Sequence, residues 1–176
     1  MADLQMSLTG VFIELMEREQ GRMKQAIDGL TDERLYYQPA EASNSIGWLV
    51  WHLSRFKDIA TSRVAAEAEL WVSDGWAVRF DLPEDRNGNG DTPEQVAAFR
   101  ADRELLLGYV DAVHNAALRR VREATEEQLT RVSQSPVAGR PARPAWQSLV
   151  INASDYTEHT GQIAYLRGML TGIGWL

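Results

Sequence analysis

Three side chains of this 176-residue sequence have the types and spacing of metal ligands: His52, Asp155 and His159. Asp155 and His159 are four residues apart, which on an α-helix places both side chains on one face, about 6 Å from each other. Imidazole nitrogen and carboxylate oxygen are the usual ligands of zinc, iron, manganese and nickel. Three protein ligands leave coordination positions open, as in catalytic metal sites. From spacing alone, the alternatives are an Asp–His pair on the helix surface and a hydrogen-bonded core histidine.

The candidate ligands fall in segments whose apolar residues recur with helical spacing. His52 lies three residues after Leu49 and four before Phe56, at the edge of an apolar stripe. Such stripes predict four long helices, an all-α four-helix bundle and a single domain over residues 1–176. The second helix begins at Asn44 or Ser45, either of which can cap it. The helices cover approximately residues 3–29, 44–70, 92–121 and 145–170.

The third helix has a clear start signal. Thr92 is a suitable N-cap, Pro93 suits the first helical position, and Gln95 completes a capping box. Before the fourth helix, residues 133–144 contain three prolines and one glycine, which predicts a loop.

The connection between the second and third helices, residues 73–91, is too long for a simple bundle loop. It contains Trp76 and Phe80, which a solvated loop would not need, and we predict a lid that folds back over one end of the bundle. The alternative is a loop that covers the edge of the core. Within it, residues 85–91 (DRNGNGD) begin like a calcium loop. The twelfth position is Val96 instead of the required glutamate, so a turn is the preferred interpretation.

Composition excludes several functional classes. The chain has no cysteine, which rules out disulfides, thiolate zinc sites, iron–sulfur clusters and a cysteine nucleophile. The formal net charge of −7 disfavours nucleic-acid binding, which needs a basic surface. No signal peptide and no apolar stretch of membrane-spanning length is evident, so we expect a cytoplasmic protein without a membrane partner.

Two segments resemble a known family: NSIGWLVWHLSRFKD (residues 44–58) and DYTEHTGQIAYLRGML (residues 155–170). Together they are similar to the DinB/YfiT-like metalloenzyme superfamily, nearest to the branch related to mycothiol-dependent maleylpyruvate isomerase. The resemblance covers nearly the whole chain. It implies a four-helix bundle, frequently dimeric, with a divalent metal held by three side chains at one end.

The resemblance also implies a ligand set. The family's metal histidines correspond to His52 and to His159, which precedes the Gly-Gln pair. Four residues before the second histidine, the family commonly has His, or Glu in the mycothiol-related branch, where this sequence has Asp155. The shorter aspartate makes it the least secure of the three ligands. Zinc is the preferred metal, with nickel, manganese and iron as alternatives.

Two functions follow from the resemblance. The first is a metal-dependent S-transferase or isomerase that joins a small thiol, such as mycothiol, bacillithiol or glutathione, to a small electrophilic substrate. The same ion can instead activate water, and the sequence does not choose between thiol and water. The second is a catalytically inactive, dimeric binding or stress-response module with a vestigial metal site. In both cases we expect a homodimer.

Other residues near the predicted ligands have alternative roles. Trp48 and Arg55 share nearly the same helix face as His52 and are candidates for substrate or cofactor binding, although a salt-bridged Arg55 is an alternative. Asn152 and Gln162 flank His159 and either orient the ligands or form ordinary hydrogen bonds between helices. Among the remaining candidates, packing or structural roles are preferred for Tyr156, Arg167 and His114.

Overall fold

A computed structural model describes residues 8–134 and 139–174. Within these ranges the protein is helical except for one pair of two-residue strands, β1 and β2, which confirms the all-α prediction. In chain order, the elements are α1 (Leu8–Ile27), α2 (Asp32–Leu35), α3 (Ile46–Ala65), α4 (Leu70–Ser73), α5 (Trp76–Phe80), α6 (Pro93–Ala98), α7 (Arg103–Arg122), α8 (Glu126–Thr130), β1 (Val132–Ser133), β2 (Arg143–Pro144) and α9 (Ala145–Thr171).

The four long helices form the predicted four-helix bundle. Helix α1 packs against α7 and α9, and α3 packs against the same two helices, so α1 and α3 lie diagonally opposite each other. Helix α3 is buried along most of its length, and its Trp51 is among the largest fully buried side chains. Because α3 and α9 are neighbours, residues on their facing sides can share one site. No helix in the described ranges has the length and apolar character needed to cross a bilayer.

Local capping signals set both ends of α3 and the end of α9. The Ser45 side chain accepts a hydrogen bond from the Trp48 amide and begins α3. Helix α3 ends at Ala65, earlier than predicted, because Ala66 adopts the left-handed conformation. Helix α9 ends at Thr171, before Gly172 in the same conformation. Residues 3–7 of the predicted first helix lie outside the described residues.

The predicted third helix is two helices. The capping box at Thr92 is present, but α6 ends at Ala98, and a new helix, α7, begins after the N-cap Asp102. The break is held by distant contacts: the Tyr36 hydroxyl donates to the Ala101 carbonyl (2.7 Å) and accepts from the Ala101 amide (3.0 Å). The side chain of Phe99 packs against Trp51, with ring centroids 5.0 Å apart. These contacts explain why helical periodicity alone did not reveal the break.

The segment between α3 and α7 is more ordered than the predicted loop, because it contains α4, α5 and α6. Trp76 and Phe80 are buried, and both rings contact Tyr109 of α7. The first part of this connection therefore completes the core, while residues 86–91 extend to His52. The predicted loop at residues 133–144 also pairs at its ends, where Ser133 lies opposite Arg143; its residues 135–138 lie outside the described residues.

Candidate metal centre

Helices α3 and α9 bring the three predicted ligands together. His52 lies on α3, and Asp155 and His159 lie one turn apart on α9. One ligand atom from each residue lies within 4.8 Å of the others, a spacing that can hold a metal ion. The Nε2 atom of His159 is 3.4 Å from Asp155 Oδ1, and the two imidazole rings have centroids 5.3 Å apart. The structure therefore contains a His/Asp/His group able to bind a divalent metal.

The imidazole of His52 is oriented by a turn that precedes α6. Its Nδ1 lies 2.7 Å from the main-chain oxygen of Asn87, so Nδ1 carries the proton and donates it to this carbonyl. The Nε2 lone pair is then available for a metal. The indole ring of Trp48 stacks on the imidazole ring of His52, with ring centroids 4.7 Å apart and an interplanar angle of 10°. The ring of His52 is thus held both by a hydrogen bond and by stacking.

The turn itself requires glycine next to Asn87. Gly88 has a φ of +89°, and a Cβ at this position would lie 2.6 Å from His52 Nδ1. The side-chain oxygen of Asn87 accepts a hydrogen bond from the Asn89 amide (2.9 Å), which closes the turn. The turn interpretation of the calcium-like segment agrees with this geometry. Among the described residues, the only group of three or more acidic or histidine side chains with metal-ligand spacing is the one at His52.

His159 is oriented by its own helix. Its Nδ1 lies 2.8 Å from Gln162 Oε1, so Nδ1 donates to the amide oxygen and Nε2 is directed to Asp155. Both histidines therefore offer the same nitrogen, Nε2, to the shared site. Hydrogen bonds of this kind fix the tautomer and orientation of metal-binding histidines.

Asp155 provides the clearest sign that a cation belongs here. Its Oδ2 is buried and has no hydrogen-bond partner in the part of the chain that the structure describes. A buried carboxylate oxygen without a donor is costly unless it coordinates a positive charge. The donor set of two imidazole nitrogens and one carboxylate oxygen matches the ligands of a divalent metal such as zinc. The residues present fit a metal ion.

The two histidines differ in their electrostatic environment. Burial lowers the pKa of His52 below its ordinary value, although the Asn87 carbonyl opposes this change. The neutral imidazole, which binds metals, is therefore favoured at this position. Burial also acts to lower the pKa of His159, but the hydrogen bonds with Asp155 and Gln162 outweigh it and raise the pKa above the usual value.

A cavity of about 320 Å³ lies beside the ligands, within the size range of small-molecule sites. His52 and Asp155 line it, together with the apolar side chains of Phe56 and Ile59 on α3. Asn152, one turn before Asp155 on α9, also lines the cavity and is almost completely buried. Open coordination positions of a bound metal would therefore be accessible to a small molecule.

The structure places the two predicted substrate-binding residues outside this cavity lining. The indole nitrogen of Trp48 donates to Asp91 Oδ2 (3.0 Å), and Asp91 forms an ion pair with Arg86 (2.8 Å). Arg55 is buried and donates to Glu69 (3.0 Å) and to the Arg86 carbonyl (3.0 Å). The alternative of a salt-bridged Arg55 accounts for these contacts, and contact of either residue with substrate stays a prediction.

Several supporting residues had no clear signal in the sequence. The main-chain oxygen of Asn87 could not be identified as the partner of His52, because backbone groups carry no sequence signature. Arg63, Arg140 and Arg143 line the cavity but share no motif. His114, by contrast, lies on α7 outside the ligand group, as expected.

The fold and the ligand group define a class of protein, and comparison with known proteins identifies the family. A family model of the DinB superfamily matches residues 15–163, and the chain belongs to this superfamily. The chain is also similar to a solved structure, described as the conserved protein of locus from Enterococcus faecalis. The two are 28% identical, with a TM-score of 0.82 over 95% of this chain and 99% of that chain. No curated protein matches the chain.

These comparisons confirm the superfamily that the two sequence segments predicted. The relationship to the mycothiol-dependent isomerase branch stays a prediction, because the family model describes the superfamily as a whole.

Proposed function

We propose that this protein is a divalent-metal-dependent enzyme that uses a low-molecular-weight thiol, as an S-transferase or isomerase acting on a small electrophile. The observation that carries the proposal is the convergence of one ligand atom each from His52, Asp155 and His159 within 4.8 Å. Two nitrogens and one oxygen from the protein, with further positions open to a cavity, are typical of catalytic zinc sites. Zinc is therefore the proposed metal.

The chemistry that the metal supplies, when bound, is a lower pKa for a thiol, so that the nucleophilic thiolate is present at neutral pH. The thiol must come from a small molecule, because the chain contains no cysteine. The protein's part is orientation. Asn87 and Gln162 hold the two imidazoles with Nε2 directed to the site, and Phe56 and Ile59 give the cavity an apolar wall.

Metal binding is the first test. Untagged protein exposed to Zn²⁺ and desalted is expected to retain one equivalent by elemental analysis. His52→Ala and His159→Ala are expected to lose it, whereas His114→Gln serves as a matched control, because His114 is a histidine outside the ligand group. Retention of zinc by both alanine variants at the wild-type level would show that the site is wrong.

Thiol binding is the second test. Mycothiol, bacillithiol and glutathione are each added to the zinc-loaded protein, and the melting temperature is measured with and without a chelator. Stabilisation by one thiol that disappears with the chelator supports the proposed enzyme. Zinc binding without any thiol response would refute thiol dependence, and absence of both would favour the inactive binding module.

A further inference from the structure

Three arginines surround the cavity beside the metal ligands. Arg63 extends from α3, and Arg140 and Arg143 come from the segment that leads into α9. Among the described residues that line the cavity, Asp155 is the only carboxylate, and it belongs to the metal ligand group. The protein as a whole has a net charge of −7, so a cavity lined by three guanidinium groups is a local reversal of sign.

Within the described ranges, these arginines lack the close ion pairs with carboxylates that several other arginines of the protein form. Arg119 and Arg120 pair with Glu67, and Arg86 pairs with Asp91. Arg140 and Arg143, in contrast, have no ion pair with a carboxylate in the described part of the chain, and the guanidinium of Arg63 donates a hydrogen bond to the Gln134 carbonyl.

The guanidinium groups of Arg63 and Arg143 are close enough for their positive charges to repel each other. Burial lowers the pKa of Arg63, and the positive charge of Arg143 lowers it further, while Glu69 opposes the change. Two neighbouring cations that repel each other are stabilised when an anion binds between them.

Asn152 adds an uncharged donor to the same cavity. Its side chain is only 4% exposed, and its Nδ2 has no hydrogen-bond partner among the residues that the structure describes. A buried amide donor without an acceptor costs free energy, which a ligand oxygen in the cavity would recover.

We propose that this cavity binds the carboxylate or phosphate group of an anionic ligand through Arg63, Arg143 and Asn152, with the exposed Arg140 also in its lining. Guanidinium groups suit both anions because they form paired, charge-assisted hydrogen bonds. The anionic end would lie on the arginine side of the cavity and the reactive end beside His52 and Asp155. This proposal rests on the proposed function in one respect: it treats the cavity as the site for the substrate or the thiol.

Anion binding is tested directly on the metal-free and the zinc-loaded protein. Malonate and inorganic phosphate are titrated separately by calorimetry, and the tighter of the two indicates whether the natural group is a carboxylate or a phosphate. Saturable binding is expected in both metal states. Arg63→Gln and Arg143→Gln are each expected to weaken it by about tenfold or more, the usual effect of losing a hydrogen bond to a charged group. Arg122→Gln, an exposed arginine on α7, is the matched control and should bind like the wild type.

The outcomes separate this proposal from the metal site. Zinc affinity is measured in the same variants and is expected to stay at the wild-type value. Anion binding that needs zinc and is unaffected by the arginine variants would mean that the anion binds the metal, and would overturn the proposal. Absence of saturable binding of either anion would overturn it as well. Failure of zinc to bind the wild type would refute the proposed function. The anion site would still be tested in that case, because saturable anion binding is measured on the metal-free protein as well.

Discussion

Replacement of Gly88 by alanine tests whether the turn at residues 87–89 positions His52. Gly88 has a φ of +89°, and an added Cβ would lie 2.6 Å from His52 Nδ1 and 2.9 Å from Trp48 Cζ2. Gly90, two residues later, is a matched control, because its φ is +84° and a Cβ there would meet nothing within 4 Å. The two substitutions therefore share the backbone effect and differ in the contact with the site.

The expected loss in the free energy of unfolding is the sum of a backbone contribution and a steric contribution. A side chain in the left-handed region costs about 1–2 kcal/mol, which both variants should show. Overpacking adds about 1–3 kcal/mol at Gly88 alone, so Gly88→Ala is expected to lower the free energy of unfolding by about 2–5 kcal/mol. Relief of the clash moves the turn and breaks the 2.7 Å hydrogen bond between His52 and the Asn87 carbonyl. Loss of such an orienting partner weakens metal binding by about 10–100-fold.

Two measurements check this reasoning. Urea unfolding of the metal-free variants gives the stability difference, and competition with a chromophoric chelator gives the zinc affinity. Gly90→Ala should be destabilised by about 1–2 kcal/mol, the backbone effect alone, and should keep the wild-type zinc affinity. Equal zinc affinities for the two variants would refute the link between the turn and the site, and equal stabilities would refute the steric argument.

Two further predictions concern buried charges on α3. Burial lowers the pKa of Lys57 from 10.5 to about 7, so the folded state gives up a proton that the unfolded state keeps between these pH values. Lys57→Met is therefore expected to stabilise the protein by about 1–4 kcal/mol near pH 7, with the gain shrinking as the pH rises toward 10.5. Thermal unfolding at pH 7 and pH 10 measures the stabilisation by Lys57→Met, and a stabilisation that is independent of pH would contradict the prediction. The second prediction concerns Asp58, which is fully buried and accepts hydrogen bonds from Arg120 (2.9 Å) and the Trp71 amide (2.9 Å). Asp58→Asn should lower the free energy of unfolding by about 3–5 kcal/mol because it leaves the guanidinium of Arg120 without its buried counter-charge, and a loss below about 1 kcal/mol in urea unfolding would contradict that role.

The helix starts were predictable where the signal is local. The hydroxyl groups of Ser45 and Thr92 cap amides three residues ahead, so the relevant partners are visible in a short stretch of sequence. The division between α6 and α7 was not predictable from spacing, because Tyr36, which hydrogen-bonds to Ala101, is 65 residues away. The same limit applies to residues 73–91, whose Trp76 and Phe80 turn into the core against Tyr109.

The candidate site divides in a similar way. The sequence by itself determined the ligand types and the shared face of Asp155 and His159, because a spacing of four is a property of the helix. The apolar stripe beside His52 made this residue a candidate partner on a second helix, and the resemblance to the superfamily supported that assignment. Only the tertiary structure decided that both histidines present Nε2, because the Asn87 carbonyl that holds one of them lies 35 residues from it in the chain. The arginines beside the ligands likewise become a single cationic surface only when α3 and the segment before α9 pack together, since no local pattern connects them.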